Sequence, residues 1–494
     1  MRRLLTYMMI ASCAALSLTS CNKWLEATSS NQFPYEKMFD NKAGFYDAIT
    51  GVYISLGSTS LYGKACTWYV NDNVAWPFVY SQTSVSYYMQ RHIYTSSVCR
   101  TYFDGIWSAG YNTIANANMI LRALEEKADL IPTEEERNLM KGEMLAVRAY
   151  VHFDLLRMFG TMSWDEEGAS RKALPYVTEF NREPVPQQTY ERTAQLLLDD
   201  IAQALTLLEN DPVTGRQRED FEEAVNSDAF WSNRTGHLNY YAVEALAARV
   251  NFWIGRHKEA ASYAADVIEN ALGKGLVSWI NPEEQVVMDN YNARDWSFSC
   301  EHLFSLEVSS LSSWLISDYY SSITADFQTA ESFITGVLFP STDPVSGQIA
   351  GAEDVRGPAM QMRFVSTGYK SYKLYASDGY YARFRNRIPM VRISEMYYIL
   401  SYCDILSGDN AGALSLLDEV RAHRGISQLL PAGADALAEL EKECYREFLG
   451  EGQLMYWLKY LSVKESLNPE FSLTASDLVF PYPEEEIDYG RIQE

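Results

Sequence analysis

The stretch LNYYAVEALAARVNFWIGRHKEAASYAADVIEN, residues 238–270, decides the fold. Alanines stand at 242, 245, 247, 248, 260, 261, 264 and 265, and aromatics at 240, 241, 252, 253 and 263. Small residues at helical spacing let two helices approach closely, and the aromatics fill the gaps beside them. The spacing predicts helices over His237–Ile254 and His257–Leu272, turned at Gly255-Arg256. A helix–turn–helix unit of this kind resembles a tetratricopeptide repeat.

Working outward, a second such pair is predicted over Ile393–Leu406 and Asp409–His423, with Gly408 in the turn. Met144–Phe159 with Tyr190–Leu208 reads as a third pair stretched by an insertion. Further helices are predicted over Phe39–Leu56, Tyr102–Lys127, Glu134–Phe159 and Gln188–Glu209. The pairs are degenerate and dispersed, which argues against a regular solenoid. The expectation is a mostly α fold: tetratricopeptide-like helix pairs forming a scaffold, with an irregular loop-rich lobe carrying short strands.

Two segments lack the helical period. Residues 57–100 are rich in Gly, Ser, Thr, Tyr and Trp and read as a long loop region. Residues 274–390 read as an irregular lobe, with His302–Val308 alternating like a strand. Long ordered loops in compact proteins are often functional.

The N-terminus carries a separate signal. Arg2 and Arg3 precede a mostly apolar run, Leu4–Leu18, too short for the roughly 20 apolar residues of a membrane span. Leu18-Thr19-Ser20-Cys21 resembles a bacterial lipobox. Residues 1–20 are therefore predicted to be a signal peptide, Cys21 to be lipidated, and residues 21–38 to form a tether. Residues 39–494 are expected to form a single domain. Several acyl chains anchor durably, at about 0.8 kcal/mol per buried CH₂.

Composition fits a body that works outside the cell. Of 494 residues, 47% are hydrophobic, enough for a large core. A formal net charge of -24 disfavours nucleic acid, which needs a basic footprint. The cysteines left after Cys13 and Cys21 are Cys66, Cys99, Cys300, Cys403 and Cys444. They are scattered, contain no CxxC, and indicate neither a disulfide framework nor a zinc site.

Several motifs then fall in order. Trp24-Leu25-Glu26 follows the lipobox, and Tyr111-Asn112-Thr113-Ile114-Ala115-Asn116-Ala117-Asn118 forms an aromatic-Asn helix. EMLAVRAYVHFDLLRMFG spans 143–160, and Arg392-Ile393-Ser394-Glu395-Met396-Tyr397 opens a later helix. LLDEVRAHRG (416–425), YREFLGEG (445–452) and FPYPEEEI (480–487) close the series. Together they resemble the SusD/RagB family of outer-membrane lipoproteins of Bacteroidetes, over nearly the whole chain. Two places depart from the family pattern: Cys403-Asp404, and QLMYWLKY at 453–460.

The resemblance implies a non-enzymatic lid on a SusC-like TonB-dependent transporter, anchored at the cell surface through lipid alone. Such proteins capture oligosaccharides, or peptides in some branches. The ligand surface lies in loops outside the helix pairs, and no cofactor is implied.

The residues support that reading independently. Sugars present apolar C–H faces and a rim of hydroxyls, which aromatic rings and Asn, Asp or Arg complement. Two stretches combine these types. Trp68 to Gln90 offers Trp68, Trp76, Tyr87 and Tyr88 as platforms, with Asn71, Asp72 and Asn73 as hydrogen-bond partners. Residues 292–320 offer Arg294, Asp295, Trp296, Trp314, Tyr319 and Tyr320.

Other chemistries find little. None of the six histidines forms HExxH or another close ligand pair, and His152 reads as a core residue. GxSxG, Walker and GxGxxG motifs are absent from the sequence. Neither a catalytic residue nor a metal ligand is singled out. With 65 acidic residues, a carboxylate pair suited to a glycosidase always exists on paper, so a lipid-anchored hydrolase stays as an alternative beside peptide capture.

Overall fold

The computed structural model describes residues 35–82, 84–161, 166–215, 231, 234–287, 294–320, 326–341, 351, 353–375, 385–462, 467 and 473–489. The expected signal peptide, Cys21 and most of the tether lie outside these residues. The tether's last four residues, Tyr35–Met38, form a helical turn.

The scaffold is a run of helices. They are α1 (Lys42–Leu56), α2 (Ser97–Glu126), α3 (Glu134–Phe159), α4 (Tyr190–Leu207) and α5 (Tyr240–Trp253). Then come α6 (His257–Val267), α7 (Ile393–Ser407), α8 (Asn410–Ala422), α9 (Ala436–Phe448) and α10 (Leu454–Tyr460). Each helix in this series packs against the next, the nearest-neighbour order of a helical repeat.

The decisive stretch forms α5 and α6. Asn239 caps α5 by accepting from the Ala242 N–H at 3.0 Å, and Gly255 turns the chain at φ +77°. Ala242, Ala245, Ala247, Ala248, Ala260 and Ala264 are fully buried, as close helix approach requires. α6 runs on through a π-helical turn at Ile268–Leu272, matching the expected end. The pair α7/α8 is turned by Gly408 at φ +86°, and Asp409 caps α8 through the Gly412 N–H at 2.8 Å. The stretched pair also exists: α3 packs on α4. α2 begins earlier than the sequence predicts, because Ser96 caps it at Cys99 N.

The sequence motifs are structural ion pairs. Arg148 holds Asp200 with Nε and Nη2 at 2.8 and 2.6 Å, joining α3 to α4. Arg249 reaches Glu395 with Nε at 2.8 Å, joining α5 to α7. Five cations (Arg356, Arg392, Arg424, Arg446 and Lys373) interlock with five carboxylates (Glu301, Asp354, Glu443, Glu447 and Glu451). Nearly all are fully buried, and a charge stripped of water at such a place must be paired.

The irregular lobe is stitched shut at its ends. Strands His302–Glu307 and Arg387–Arg392 pair antiparallel, and the second runs straight into α7. Between them lies part of a small sheet with the order Phe78–Val79, Gln328–Thr329, Gly368–Ser371, Met362–Val365. Its first strand comes from the 57–100 segment, so the two segments without helical period share one sheet.

The 57–100 segment departs from the expected long loop. It holds a π-turn (Ala65–Tyr69) and short helices (Val70–Ala75 and Val85–Gln90). Residues 70–75 are buried on every side, so they carry no two-faced pattern for a periodicity reading to detect.

Cys66, Cys99 and Cys444 are buried thiols, and Cys300 and Cys403 are half-buried thiols. His152 is fully buried, with Nδ1 2.8 Å from the Arg148 carbonyl and Nε2 accepting from Val177 N at 3.0 Å. Among the described residues, no helix is long and apolar enough to cross a membrane.

Candidate aromatic site

Half of the expected platforms are spent inside the protein. Trp68 and Trp76 are each 1% exposed. Trp68 donates its indole N–H to the Gly63 carbonyl at 3.1 Å, and Trp76 donates to Thr329 Oγ1 at 2.8 Å. Phe333 and Tyr445 close on the Trp76 ring with centroids 5.9 and 5.8 Å away.

Their polar neighbours are equally committed. Asn71 donates to the Cys66 carbonyl at 2.9 Å and to the Tyr456 hydroxyl at 3.1 Å. Asp72 accepts from the Gly450 and Gly452 N–H groups at 2.7 and 3.2 Å. Burial pushes the Asp72 carboxyl up to about 8 against those donors. Asn73 and Asp295 are buried too. Trp68, Asn71, Asp72, Asn73 and Trp76 are therefore corrected to core residues that present no face to a ligand. A contiguous Asn-Asp-Asn run is as well suited to tying distant backbone together as to meeting sugar hydroxyls.

The second stretch forms a coherent cluster. Tyr320 lies half-buried with its ring 5.0 Å from Tyr372 and 5.5 Å from Tyr375. Tyr372 and Tyr375, 4.9 Å apart, are half-buried as well. Trp296 backs both at 6.1 and 6.0 Å and is itself 4% exposed, so it forms a wall rather than a free platform. The guanidinium of Arg363 stands 5.3 Å from the Tyr372 ring centroid, and that of Arg294 stands 5.7 Å from Trp296.

The small sheet positions these rings. Arg363 and Lys370 are directly opposed across Met362–Val365 and Gly368–Ser371, and opposed residues share a face. Tyr319 is buried and stacks on Phe327 at 4.8 Å, which fixes the segment that presents Tyr320. Burial among neighbouring phenols raises the Tyr320 hydroxyl well above the ordinary tyrosine value. Burial raises Tyr372 as well, against the opposing pull of Arg363. At neutral pH both hydroxyls therefore keep the proton and are able to donate it in a hydrogen bond.

Three other expected residues stand apart from this cluster. Tyr87 and Tyr88 are half-buried and make their own group with Tyr80, at 5.2 and 5.8 Å from Tyr87. Trp314 is half-buried at the end of a short helix, Leu311–Trp314. Tyr372 and Tyr375 were missed in the sequence, although GYKSYKLY (368–375) sets a tyrosine at every third position. Among the described residues, no group of three or more His, Cys, Asp or Glu is arranged to hold a metal ion.

Residues 23–229 match the family described as SusD-like_3, starch-binding associating with outer membrane. No curated protein matches the chain. Among solved structures, a SusD superfamily protein from Bacteroides thetaiotaomicron is similar with a TM-score of 0.71 at 20% identity, covering 91% of this chain and 98% of that one. A SusD superfamily protein from Bacteroides vulgatus gives 0.71 at 21% identity, covering 92% and 98%. A SusD-like carbohydrate binding protein from the same species gives 0.65 at 15% identity, covering 90% and 96%. At these identities the likeness speaks for the fold.

Proposed function

We propose that the chain, whose residues 23–229 match the SusD-like family model, is a member of that family that captures glycans at the cell surface and passes them to a SusC-like TonB-dependent transporter. Cys21 carries the lipid anchor, and no reaction is catalysed. The observation that carries glycan capture is the aromatic cluster of Trp296, Tyr320, Tyr372 and Tyr375. Half-buried rings cover the apolar faces of a sugar, while Arg294, Arg363 and the protonated phenols meet its hydroxyls. The SusD-like carbohydrate binding protein of similar fold supports the same ligand class.

The test is migration of the protein through native gels cast with a panel of neutral polysaccharides. Retardation by at least one, lost in Tyr372→Ala, is the expected result. Normal migration on every polysaccharide, with no heat on titrating short oligosaccharides, would overturn glycan capture in favour of peptides. Turnover of any retained glycan would favour the hydrolase instead.

A further inference from the structure

The rings of the aromatic cluster come from two stretches of the chain, Trp296 and Tyr320 from one, Tyr372 and Tyr375 from the other. Trp296, Phe298, Val355 and Met360 belong to a small apolar cluster separate from the main core, and Tyr372 and Tyr375 pack against it. Apolar burial is non-directional. It gathers these side chains without fixing how one stretch sits on the other.

Gln361 supplies the direction. It is 2% exposed and directly follows Met360 of that cluster. Its Nε2 donates to the Trp296 main-chain carbonyl. A carbonyl only accepts, so the NH₂ end of the amide must face it. The main-chain carbonyl of Gln361 accepts in turn from the Tyr372 N–H at 2.7 Å. One residue therefore grips the backbone of both ring-bearing stretches. Tyr375 follows, its N–H donating to the Tyr372 carbonyl at 2.8 Å.

The grip is tied to the helical scaffold. The Gln361 N–H donates to the Val355 carbonyl at 3.0 Å, and the Val355 N–H donates to the carbonyl of Arg424, just past α8, at 3.0 Å. Asp354 and Arg356 flank Val355, are buried and pair with each other. Arg356 also reaches Glu443 and Glu447 of α9 at 2.7 and 2.8 Å. A buried amide is costly unless it is hydrogen-bonded. An apolar side chain of the same length would fill the space at lower cost, so what the glutamine adds is the directed bond.

We infer that Gln361 is a positioning residue of the aromatic site: it holds Trp296 in place against Tyr372 and Tyr375, and so sets the affinity for a sugar that it does not touch. The affinity part rests on this cluster being the glycan surface.

The test is Gln361→Met, which keeps the length of the side chain and removes the donor. Hydrogen exchange of the full-length protein is read first, by mass spectrometry and without ligand. Amides of residues 294–301 and 368–375 should exchange roughly tenfold faster, while those of α5 and α6 keep the parent rate. Unchanged exchange in both stretches, or equal acceleration throughout the protein, would overturn the proposal.

Native gels cast with starch, xylan, galactan or dextran then read affinity. On a polysaccharide that retards the parent, Gln361→Met should bind roughly tenfold more weakly, and adding it to Tyr372→Ala should weaken binding no further. Undiminished retardation, or a loss that adds in full to that of Tyr372→Ala, would also overturn it. A parent protein retarded by none of the four, with the local change in exchange as expected, would remove glycan capture and keep Gln361 as the residue that holds the rings. If Gln361→Met fails to fold, Gln361→Asn, too short to span the gap, repeats both measurements.

Discussion

The Lys370 ammonium donates to the main-chain carbonyl of Tyr319 at 2.7 Å, and both residues are buried. The bond fastens the strand Gly368–Ser371 to the segment presenting Tyr320. Lys370→Met keeps the apolar stem and removes the donor. The expected cost is about 1–3 kcal/mol, the penalty for a buried acceptor losing its partner. Urea unfolding measures it. Glycan affinity should fall as well, because Tyr320 loses its support. Stability within about 0.5 kcal/mol of the parent would mean that the contact carries little.

The burial of Trp76 and the half-exposure of Tyr372 predict opposite phenotypes. Trp76→Ala removes a ring packed against Phe78, Phe333 and Tyr445 and should cost about 3–5 kcal/mol. The fraction that folds should bind glycan normally. Tyr372→Ala should leave thermal unfolding almost unchanged and weaken binding roughly tenfold or more. Unfolding curves paired with calorimetry separate the two. A folded Trp76→Ala protein that had lost binding would return Trp76 to the ligand surface.

How legible these features were depends on where their partners lie in the chain. The α5/α6 pair was readable because its alanines and its turn fall within 33 residues, and local spacing alone produces the contact. Asn71 and Asp72 were misread because their partners, Tyr456 and Gly450, lie 385 and 378 positions away. Residue chemistry alone does not tell an aromatic-Asp stretch that faces a sugar from one that fastens a core. Trp296 and Tyr320, read from one segment of the sequence, both meet Tyr372 and Tyr375. Their companions Tyr372 and Tyr375 are brought in by the sheet, whose pairing no local pattern announced.

The anchor is testable without any ligand. Cys21→Ser leaves the body unchanged and removes the sulfur that would take the lipid. The parent protein should partition into the detergent phase and sediment with membranes, while Cys21→Ser should be recovered in the aqueous fraction. Identical partitioning of the two would exclude Cys21 as the anchor.

Glu143 gives the fold a pH dependence that one variant isolates. The carboxylate is fully buried on α3, where it pairs with Arg234 and His237 and accepts from the Tyr53 hydroxyl at 3.0 Å. Burial alone would raise its pKa, but His237 and Arg234 outweigh burial and bring it down to about 2. A carboxylate whose folded pKa lies below its unfolded value of 4.5 stabilises the protein fully above that value. The contribution drains away as pH falls toward about 2. Glu143→Gln leaves Arg234 with Asp211 alone and should cost about 3–5 kcal/mol at pH 7, the range for breaking a buried pair. Urea unfolding of both proteins at neutral, mildly acidic and strongly acidic pH should show that gap narrowing below the unfolded pKa. A gap that stays constant would assign the loss to packing, with the charge of Glu143 contributing nothing.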